Sequence, residues 1–240
     1  MKTLKLLSAG ILAMLMTSCV FEGDWGQTRG NGNVVTETRD INEDFTGVRG
    51  SSGLDVYLEK GSENKVVVEA DENLHDLIIT EVNNGFLKIK TRSGISRAKA
   101  KKVYVTYIEL DALEASSGAD VIANSVVSAE KLSLSSSSGA DLEVEIDARE
   151  VTASTSSGAD LKVYGRAKYF TADASSGSDL NAKELRVQKC RAEATSGADI
   201  TVNVKDDLDA KASSGGDIRY YGDPTSVNKK DGHSGGIRKM

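Results

Sequence analysis

Residues 132–144 read Leu-Ser-Leu-Ser-Ser-Ser-Ser-Gly-Ala-Asp-Leu-Glu-Val, and close variants of this stretch return through most of the chain. Its centre, Ser-Gly-x-Asp, occurs seven times, with glycines at Gly53, Gly118, Gly139, Gly158, Gly177, Gly197 and Gly215. An eighth copy, Ser234-Gly235-Gly236, lacks the aspartate. From Gly118 to Gly235 the successive glycines are 21, 19, 19, 20, 18 and 20 residues apart. An unbroken repeat of this length is typical of a solenoid, in which each repeat packs only on its neighbours.

Apolar residues flank each glycine at fixed distances. They stand seven and five residues before it, as Leu132 and Leu134 do before Gly139, and three and five residues after it, as Leu142 and Val144 do. The positions between them are polar, and alternation with a period of two indicates strands that each bury one face. We therefore predict an all-β fold, a single-stranded β-helix or β-solenoid with coils of about 20 residues and Ser-Gly-x-Asp corners.

The same spacing extends towards the N-terminus, where Asn73 and Gly94 stand in place of corner glycines. Each is preceded at seven and five residues by an apolar pair: Val66 and Val68, and Leu87 and Ile89. Together with Gly53 and Gly118, these markers predict evenly stacked coils of one β-solenoid domain over residues 34–235, followed by a tail over residues 236–240.

The first eighteen residues have the pattern of an export signal. Lys2 and Lys5 precede an apolar stretch over residues 6–16, which is too short to cross a bilayer. The segment Leu15-Met16-Thr17-Ser18-Cys19 resembles the bacterial lipobox, which implies lipidation of Cys19; the alternative is an ordinary signal peptide with a chance cysteine. We predict a lipoprotein signal peptide over 1–18, a glycine-rich flexible tether over 19–33, and an outer-membrane lipoprotein of the cell envelope, facing the periplasm or the cell surface.

The charge of the chain excludes one class of partner. The formal net charge is −6, and removal of Lys2 and Lys5 with the signal peptide lowers it to −8. A nucleic-acid-binding protein needs a basic stripe, so no nucleic acid is expected. Binding of cations or of basic partners stays open.

Stacked coils would align equivalent residues in rows, and the row of corner aspartates has two interpretations. Its members are Asp120, Asp141, Asp160, Asp179, Asp199 and Asp217. In the first interpretation the motif is a structural corner, in which glycine has a positive φ and the serine and aspartate side chains bond to the turn backbone. In the second, calcium bridges successive carboxylates. We favour the structural corner and therefore expect no cofactor. Calcium binding along the row is the alternative.

Signals of catalysis are few. His75, expected in a polar turn, and His233 are far apart in the chain, which speaks against a metal cluster or a Ser-His arrangement. Cys190 falls in the inward register and is expected to be a buried apolar residue. Arg166 and Lys168 are expected to be solvated charges. An acidic pair as in polysaccharide-degrading enzymes is the alternative.

Three tyrosines are candidates for aromatic surfaces on which sugars could stack. Tyr164 and Tyr221 stand six residues after their glycines, in the outward register, whereas Tyr220 points inward. Isolated surface aromatics are the simpler interpretation.

Several segments resemble a known family in their order. They are Phe45-Thr46-Gly47-Val48, the stretch from Ser51 to Leu58, the stretch from Lys65 to Leu74, Gly85-Phe86-Leu87-Lys88-Ile89, and the stretch from Val103 to Leu113 with the coils that follow. Over about residues 40–235 the chain is similar to the putative auto-transporter adhesin head GIN domain family, a domain of unknown function frequent in Bacteroidetes lipoproteins. The resemblance implies a β-helical fold and a cell-envelope location, and it brings no catalytic residues. No translocator barrel follows the repeats, so we expect a lipid anchor in place of self-transport.

These observations predict a lipid-anchored, non-enzymatic binding or scaffolding module of the cell envelope. Its outward strand faces would suit a glycan or a protein ligand, and its oligomeric state is left open. The alternatives are a polysaccharide-degrading enzyme on a parallel β-helix and a calcium-binding structural spacer.

Overall fold

The computed structural model describes residues 26–41, 43–232 and 234–240. This part of the chain holds nineteen β-strands and a single turn of 3-10 helix at Glu72–Leu74. The strands are β1 (Gln27–Arg29), β2 (Val34–Arg39), β3 (Gly47–Gly50), β4 (Asp55–Lys60), β5 (Lys65–Asp71), β6 (Ile78–Asn83), β7 (Phe86–Thr91), β8 (Gly94–Arg97), β9 (Lys101–Tyr107), β10 (Ala112–Ser116), β11 (Asp120–Ala123), β12 (Val127–Ser137), β13 (Asp141–Ser156), β14 (Asp160–Ser175), β15 (Asp179–Ala194), β16 (Asp199–Ala212), β17 (Asp217–Tyr221), β18 (Ser226–Asp231) and β19 (Gly236–Lys239). In the described ranges no helix is both long enough and apolar enough to cross a membrane.

The predicted solenoid is confirmed for the repeats that begin at Ala112. Strands β13, β14 and β15 are each 16 residues long and begin at the aspartate after a corner. β13 and β14 end at the residue before the next corner pair, and β15 ends one residue earlier, at Ala194. Each pairs in parallel with the strand one coil away, so that Asp141 lies opposite Asp160 and Val151 opposite Phe170. Parallel neighbours are about 4.8 Å apart, and the coils therefore form a stack that advances by that distance.

Each coil contributes to two sheets, which are named here by their position relative to the corner. The leading face consists of the residues that follow the corner, in the strand order β2-β5-β9-β4-β11-β13-β14-β15-β16-β17-β19. The trailing face consists of the residues that precede the corner, in the order β6-β7-β3-β10-β12-β13-β14-β15-β16-β18. The long strands bend and take part in both.

The core lies between the two faces and is filled by the registers that alternation predicts. Seven residues before the corner glycines stand Leu132, Val151, Phe170, Cys190 and Leu208, all buried. On the other side of the corner, Leu142, Leu161, Leu180, Ile200 and Ile218 are buried as well. Alanines at further inward positions, such as Ala153 and Ala172, let the two faces approach closely.

The N-terminal part does not continue this stack, and the prediction of evenly spaced coils through Asn73 and Gly94 is wrong. β5 is antiparallel to both β2 and β9, and β6 is antiparallel to β7. Asn73 lies in the 3-10 turn, and Gly94 begins β8, which pairs with β1. Alternation specifies which side chains a strand buries, but it does not specify the neighbour or the direction of pairing.

The coil of Gly53 instead packs directly on the coil of Gly118. β3 pairs in parallel with β10, and β4 with β11. Residues 61–111, between these coils, form a cap together with β2, which precedes both coils in the chain. In this cap β5, β9 and β2 extend the leading face, and β7 and β6 extend the trailing face.

Both chain ends carry more structure than we predicted. β1 lies within the predicted tether, and β19 lies within the predicted tail over residues 236–240. β19 pairs with β17 so that Gly236 lies opposite Asp217. Counting back in this register, Ser234, rather than Gly235, aligns with Gly215. The eighth copy of the motif is thus offset by one residue.

Candidate binding surface

The corners are tight turns in which both central residues have positive φ. Ser157 has φ 57° and Gly158 has φ 67°, and the other corner pairs have similar values. In the corner formed by Ser117 and Gly118, the Ala119 N–H donates to the Ser116 carbonyl at 3.2 Å. Positive φ at both positions with this bond defines a type I′ turn. A serine in this conformation is uncommon, whereas glycine adopts it freely.

Backbone groups, rather than the corner side chains, link one turn to the next. The Gly118 N–H donates to the Ser138 carbonyl at 3.1 Å, and the Asp141 N–H donates to the Ala119 carbonyl at 3.0 Å. The same bonds recur along the stack up to the pair Gly197 and Ser214. In the described chain neither the serine directly before a corner glycine nor the corner aspartate bonds to turn backbone through its side chain, so the expectation is wrong for these two positions. Hydroxyls beside them do form such bonds: Ser178 donates to the Ser175 carbonyl at 2.9 Å and Ser136 to the Ala140 carbonyl at 2.7 Å.

The corner aspartates form one row along the leading face. Register pairs Asp55 with Asp120, and then in order Asp141, Asp160, Asp179, Asp199 and Asp217. Partial burial raises the pKa of Asp179, and the adjacent Asp160 and Asp199 raise it further. The pKa of Asp141 is raised for the same reasons, by burial and then by Asp120 and Asp160. The row is therefore a line of mutually repelling carboxylates.

Basic residues relieve the row near its ends. The Arg219 guanidinium lies 3.3 Å from a carboxylate oxygen of Asp199, and the Lys101 ammonium lies 3.8 Å from Asp55. Across the described ranges no group of three or more His, Cys, Asp or Glu side chains is placed to hold a metal ion. Each coil contributes a single carboxylate to the row.

The trailing face presents hydroxyl groups in its central coils. Ser133, Thr152 and Thr171 are aligned, as are Ser137, Ser156 and Ser175. Between these two rows lie Ser135, Ser154 and Asp173. The Ser154 hydroxyl lies 3.3 Å from that of Ser135. This face is polar and carries small depressions of about 300 and 340 Å³.

The leading face is interrupted by a bulge in β15. Between the paired residues Lys162–Asn181 and Gly165–Leu185, β15 has one residue more than β14, and residues 183–185 have no partner on β16. Two amide side chains hold the protruding backbone: Asn181 accepts from the Lys183 N–H at 3.2 Å, and Asn203 donates to the Lys183 carbonyl at 3.3 Å. Bulges of this kind redirect side chains and often border functional sites.

A groove of about 760 Å³ lies beside this bulge, at the bend where the leading face passes into the trailing face. Gly165 forms part of its floor with φ 106°, and a side chain there would collide with the Ile146 carbonyl oxygen. The groove is lined by Val126, Glu145, Ile146, Asp147, Tyr164, Gly165, Arg166, Lys183, Glu184, Arg186 and Asn203. We call it the Tyr164 groove.

Tyr164 is the aromatic residue of this groove and is half-buried in the outward register. Burial raises the pKa of its hydroxyl, and the neighbouring carboxylates Glu143, Glu145 and Glu184 raise it further. The ring therefore stays neutral at physiological pH. Tyr221 is likewise outward, with the Lys183 ammonium 4.8 Å from its ring centre, and Tyr220 is buried.

The remaining sequence candidates are not assembled into one site. Cys190 is buried, which raises the pKa of its thiol far above the ordinary range. His75, expected in a polar turn, is buried and lies 3.2 Å from Glu37. Arg166 pairs with Asp147 at 2.5 Å, and the Lys168 ammonium lies 5.2 Å from the Tyr169 ring centre. The predictions for Cys19 and His233 fall outside the described residues.

The Tyr164 groove was missed in the sequence, although a signal for it is present. The interval from Gly177 to Gly197 is 20 residues and the next is 18, against 19 in the two coils before. A longer coil beside a shorter one requires an extra residue on one strand, and that residue is the bulge.

The fold and these surfaces define a class, the elongated β-solenoid repeat proteins, whose outer faces are rows of equivalent side chains. Residues 44–224 match the family described as "Putative auto-transporter adhesin, head GIN domain". The chain belongs to this family, which confirms the resemblance seen in its sequence. No curated protein matches the chain.

Solved structures share the fold. A putative adhesin from Bacteroides fragilis superposes with a TM-score of 0.82 at 18% identity, covering 89% of this chain and 100% of the other. A putative lipid binding protein from Parabacteroides distasonis gives a TM-score of 0.72 at 22% identity, with 89% and 99% coverage. A putative adhesin from Parabacteroides merdae gives 0.68 at 20% identity, with 90% and 99% coverage. At these identities the likeness concerns the fold alone.

Proposed function

We propose that this protein is a non-enzymatic binding module of the cell envelope, attached to the outer membrane through lipidated Cys19. Family membership supports an adhesin-like role, and the lipobox-like segment before Cys19 supports the anchor. Attachment by acyl chains would leave the solenoid free to meet ligands at the end of residues 19–26.

The observation that carries the proposal is the alignment of equivalent side chains from Asp55 to Asp217 along one edge of seven successive coils. A surface that repeats with every coil is suited to a ligand that is itself extended and repetitive, or to a flat partner protein. Solenoids of other families use their long surfaces in this way.

The chemistry of the described residues supports binding rather than catalysis. The thiol of Cys190 is buried and strongly disfavoured as a thiolate, and burial shifts the pKa values of Asp55, Asp141 and Asp179 in the row in the same direction, upward. A hydrolase acting with two carboxylates needs them in unlike environments, one as acid and one as base.

The test is a binding screen with the full-length protein in detergent micelles. We expect retention of polysaccharides or envelope proteins from a defined panel, without release of shorter products over hours of incubation. Product formation from pectic or glycosaminoglycan substrates would instead establish an enzyme. Retention of nothing in the panel, with no products, would favour a structural spacer.

A further inference from the structure

We propose that the Tyr164 groove is a binding site for a neutral saccharide chain that lies along the solenoid axis. This inference rests on the proposed binding function and assigns it a place and a ligand class. It depends on four properties of the groove: its shape, its aromatic residue, its unpaired polar groups and its balance of charge.

The shape of the groove is built into the backbone. The bulge at residues 183–185 raises one wall, and Gly165 keeps the floor low because any larger residue would meet the Ile146 carbonyl. Asn181 and Asn203 fix the bulge through hydrogen bonds to Lys183. A groove held by backbone pairing is preorganised, so little conformational entropy is lost when a ligand binds.

The aromatic residue provides the surface that sugars require. A pyranose ring has one face of C–H groups, which packs on an aromatic ring, while its hydroxyl groups point outward and need hydrogen-bond partners. Tyr164 lines the groove and is half-buried, with the Lys162 ammonium 5.5 Å from its ring centre. Its hydroxyl stays protonated because burial and nearby carboxylates raise its pKa, so it both donates and accepts.

Four polar side chains of the groove lack an ion-pair partner among the described residues. Arg166 and Asp147 satisfy each other at 2.5 Å, whereas Glu145, Lys183, Glu184 and Arg186 do not form such pairs. These groups, with Asn203, offer both donors and acceptors to the hydroxyls of a sugar.

In a smaller depression on the trailing face, by contrast, several polar side chains are paired with one another. The depression has a volume of about 340 Å³ and is lined by Tyr169. There Lys189 pairs with Asp207 at 2.6 Å, and Asn228 donates to Asp209 at 2.9 Å. Four of its polar side chains are therefore already paired with one another, which makes Tyr169 a suitable comparison residue.

The charge of the groove points to an uncharged ligand. Its lining carries three acidic residues, Glu145, Asp147 and Glu184, and three basic ones, Arg166, Lys183 and Arg186. Three carboxylates, those of Glu143, Glu145 and Glu184, and one ammonium, that of Lys162, affect the Tyr164 hydroxyl, so an anionic sugar on this ring would meet more like charges than opposite ones. A neutral sugar has no such cost.

The direction of the chain follows from the stacking of the coils. Glu145 pairs with Tyr164 and Asn203 pairs with Tyr221, and the bulge in β15 separates these two parts of the outward face. Tyr164 and Tyr221 lie three coils apart, which is about 14 Å at one strand spacing per coil. An extended chain of several sugar units could contact both rings.

Affinity electrophoresis and calorimetry with defined polysaccharides test the proposal. The probes are soluble β-glucan, mannan and xylan, with polygalacturonate as an anionic probe. We expect the parent protein to bind at least one neutral polymer more tightly than polygalacturonate. Tyr164→Ala should weaken that binding about tenfold, the effect of losing one aromatic contact. Tyr169→Ala should retain the affinity of the parent.

A second variant guards against loss of folding. Glu145→Lys removes a hydrogen-bond acceptor at an exposed position, and we expect it to weaken binding several-fold with an unchanged circular dichroism spectrum. Tyr164→Ala or Glu145→Lys that binds as the parent does would overturn the site while leaving the binding function intact. Binding of only anionic polymers, or of only proteins, would likewise overturn the site and leave the binding function intact. A protein that binds no probe and no envelope component would refute both proposals.

Discussion

Asp55 lies beside Asp120 in the parallel pairing of β4 with β11, although the intervening chain forms most of the cap, with both parallel and antiparallel strands, before it returns. The next copy of the motif in sequence is thus the next copy in space, whatever the chain does between them. The Gly53 N–H donates to the Ser117 carbonyl at 3.0 Å, and the same bond recurs in the later corners up to Gly197. This continuity makes the aspartate row one electrostatic unit.

The row predicts a pH-dependent stability. The pKa of Asp179 in the folded protein is raised by burial, then by Asp160 and Asp199, above its ordinary value of 3.8. A carboxyl with a raised pKa favours folding fully below about pH 3.8, and this contribution is lost as the pH rises through the folded-state pKa. Asp179→Asn should therefore increase the free energy of unfolding at pH 7 by about 0.5 kcal/mol, the order of an exposed charge pair. The gain should vanish at about pH 3, as urea titrations at both pH values would measure.

Substitution of Asp147 is the control, because its effect on stability at pH 7 should have the opposite sign. Its hydrogen bond to Arg166 lowers its pKa, so its contribution is present above the ordinary pKa and lost as the pH falls through the lowered one. Asp147→Asn should lower stability at pH 7 and have no effect in strong acid. Two variants that shift stability in the same direction at pH 7 would contradict the electrostatic interpretation.

Substitution by alanine should destabilise the fold by different amounts at a corner glycine, Gly158, and at the glycine of the groove floor, Gly165. Gly158, in a corner with φ 67°, has open space where a side chain would point, so Gly158→Ala should cost about 1 kcal/mol from the backbone conformation alone. Gly165→Ala adds a collision with the Ile146 carbonyl and should cost about 3 kcal/mol. Denaturant midpoints rank the two; equal losses would show that the groove floor relaxes freely.

The last coil should prevent end-to-end association. Lys229 of β18 lies opposite Ala210, in the inward register, and places its ammonium 4.7 Å from the Tyr220 ring centre. A charge at an inward position of an edge strand disfavours further pairing. We expect Lys229→Val to sediment as larger species than the parent at the same concentration. Lys230→Val removes the same charge from the outward register and should sediment as the parent does.

Lipidation of Cys19 is tested by metabolic labelling with an alkyne fatty acid in a bacterial host that processes lipoproteins. We expect the parent protein to take up the label and to partition into detergent, and Cys19→Ser to lose both properties. Cys190→Ser is the matched control and should keep the label, because its sulfur is buried. Label on Cys19→Ser would refute the anchor.

Calcium gives a further prediction. Because each coil contributes one carboxylate to the row and the described residues form no convergent acidic cluster, we expect the melting temperature to be the same in calcium and in chelator. A rise of several degrees with calcium, reversed by chelation and reduced in Asp160→Asn, would favour the cation ladder.

The sequence predicted the repeated coils because their evidence is local and redundant. Each copy from Gly139 to Gly215 has apolar residues at the same inward offsets, and burial of Phe170 and Leu180 agrees with them. The cap could not be predicted in this way. Val66 and Val68 do face the core, but the same alternation suits a parallel or an antiparallel neighbour, and β5 takes the antiparallel one.

The candidate groove was hidden for a different reason. The lengths of successive coils indicate that one has an extra residue, but not where along 20 positions it is accommodated. The structure places it at Lys183–Leu185, where Gly165 of the neighbouring coil leaves room. The positive φ of the corner serines was also unexpected, because the motif offers glycine for that role.

The insertion of the cap between the first two corner coils affects the order in which the protein folds. Coils after Ala112 need only close loops of about 20 residues, whereas joining β4 to β11 closes about 65, at an added entropic cost of about 1 kcal/mol. Later coils can therefore zip together by themselves, and the coil of Gly53 docks onto a template already formed. The coil of Gly53 is synthesised before the later coils, but we expect it to join the stack after them. The order of folding would then be the reverse of the order of synthesis.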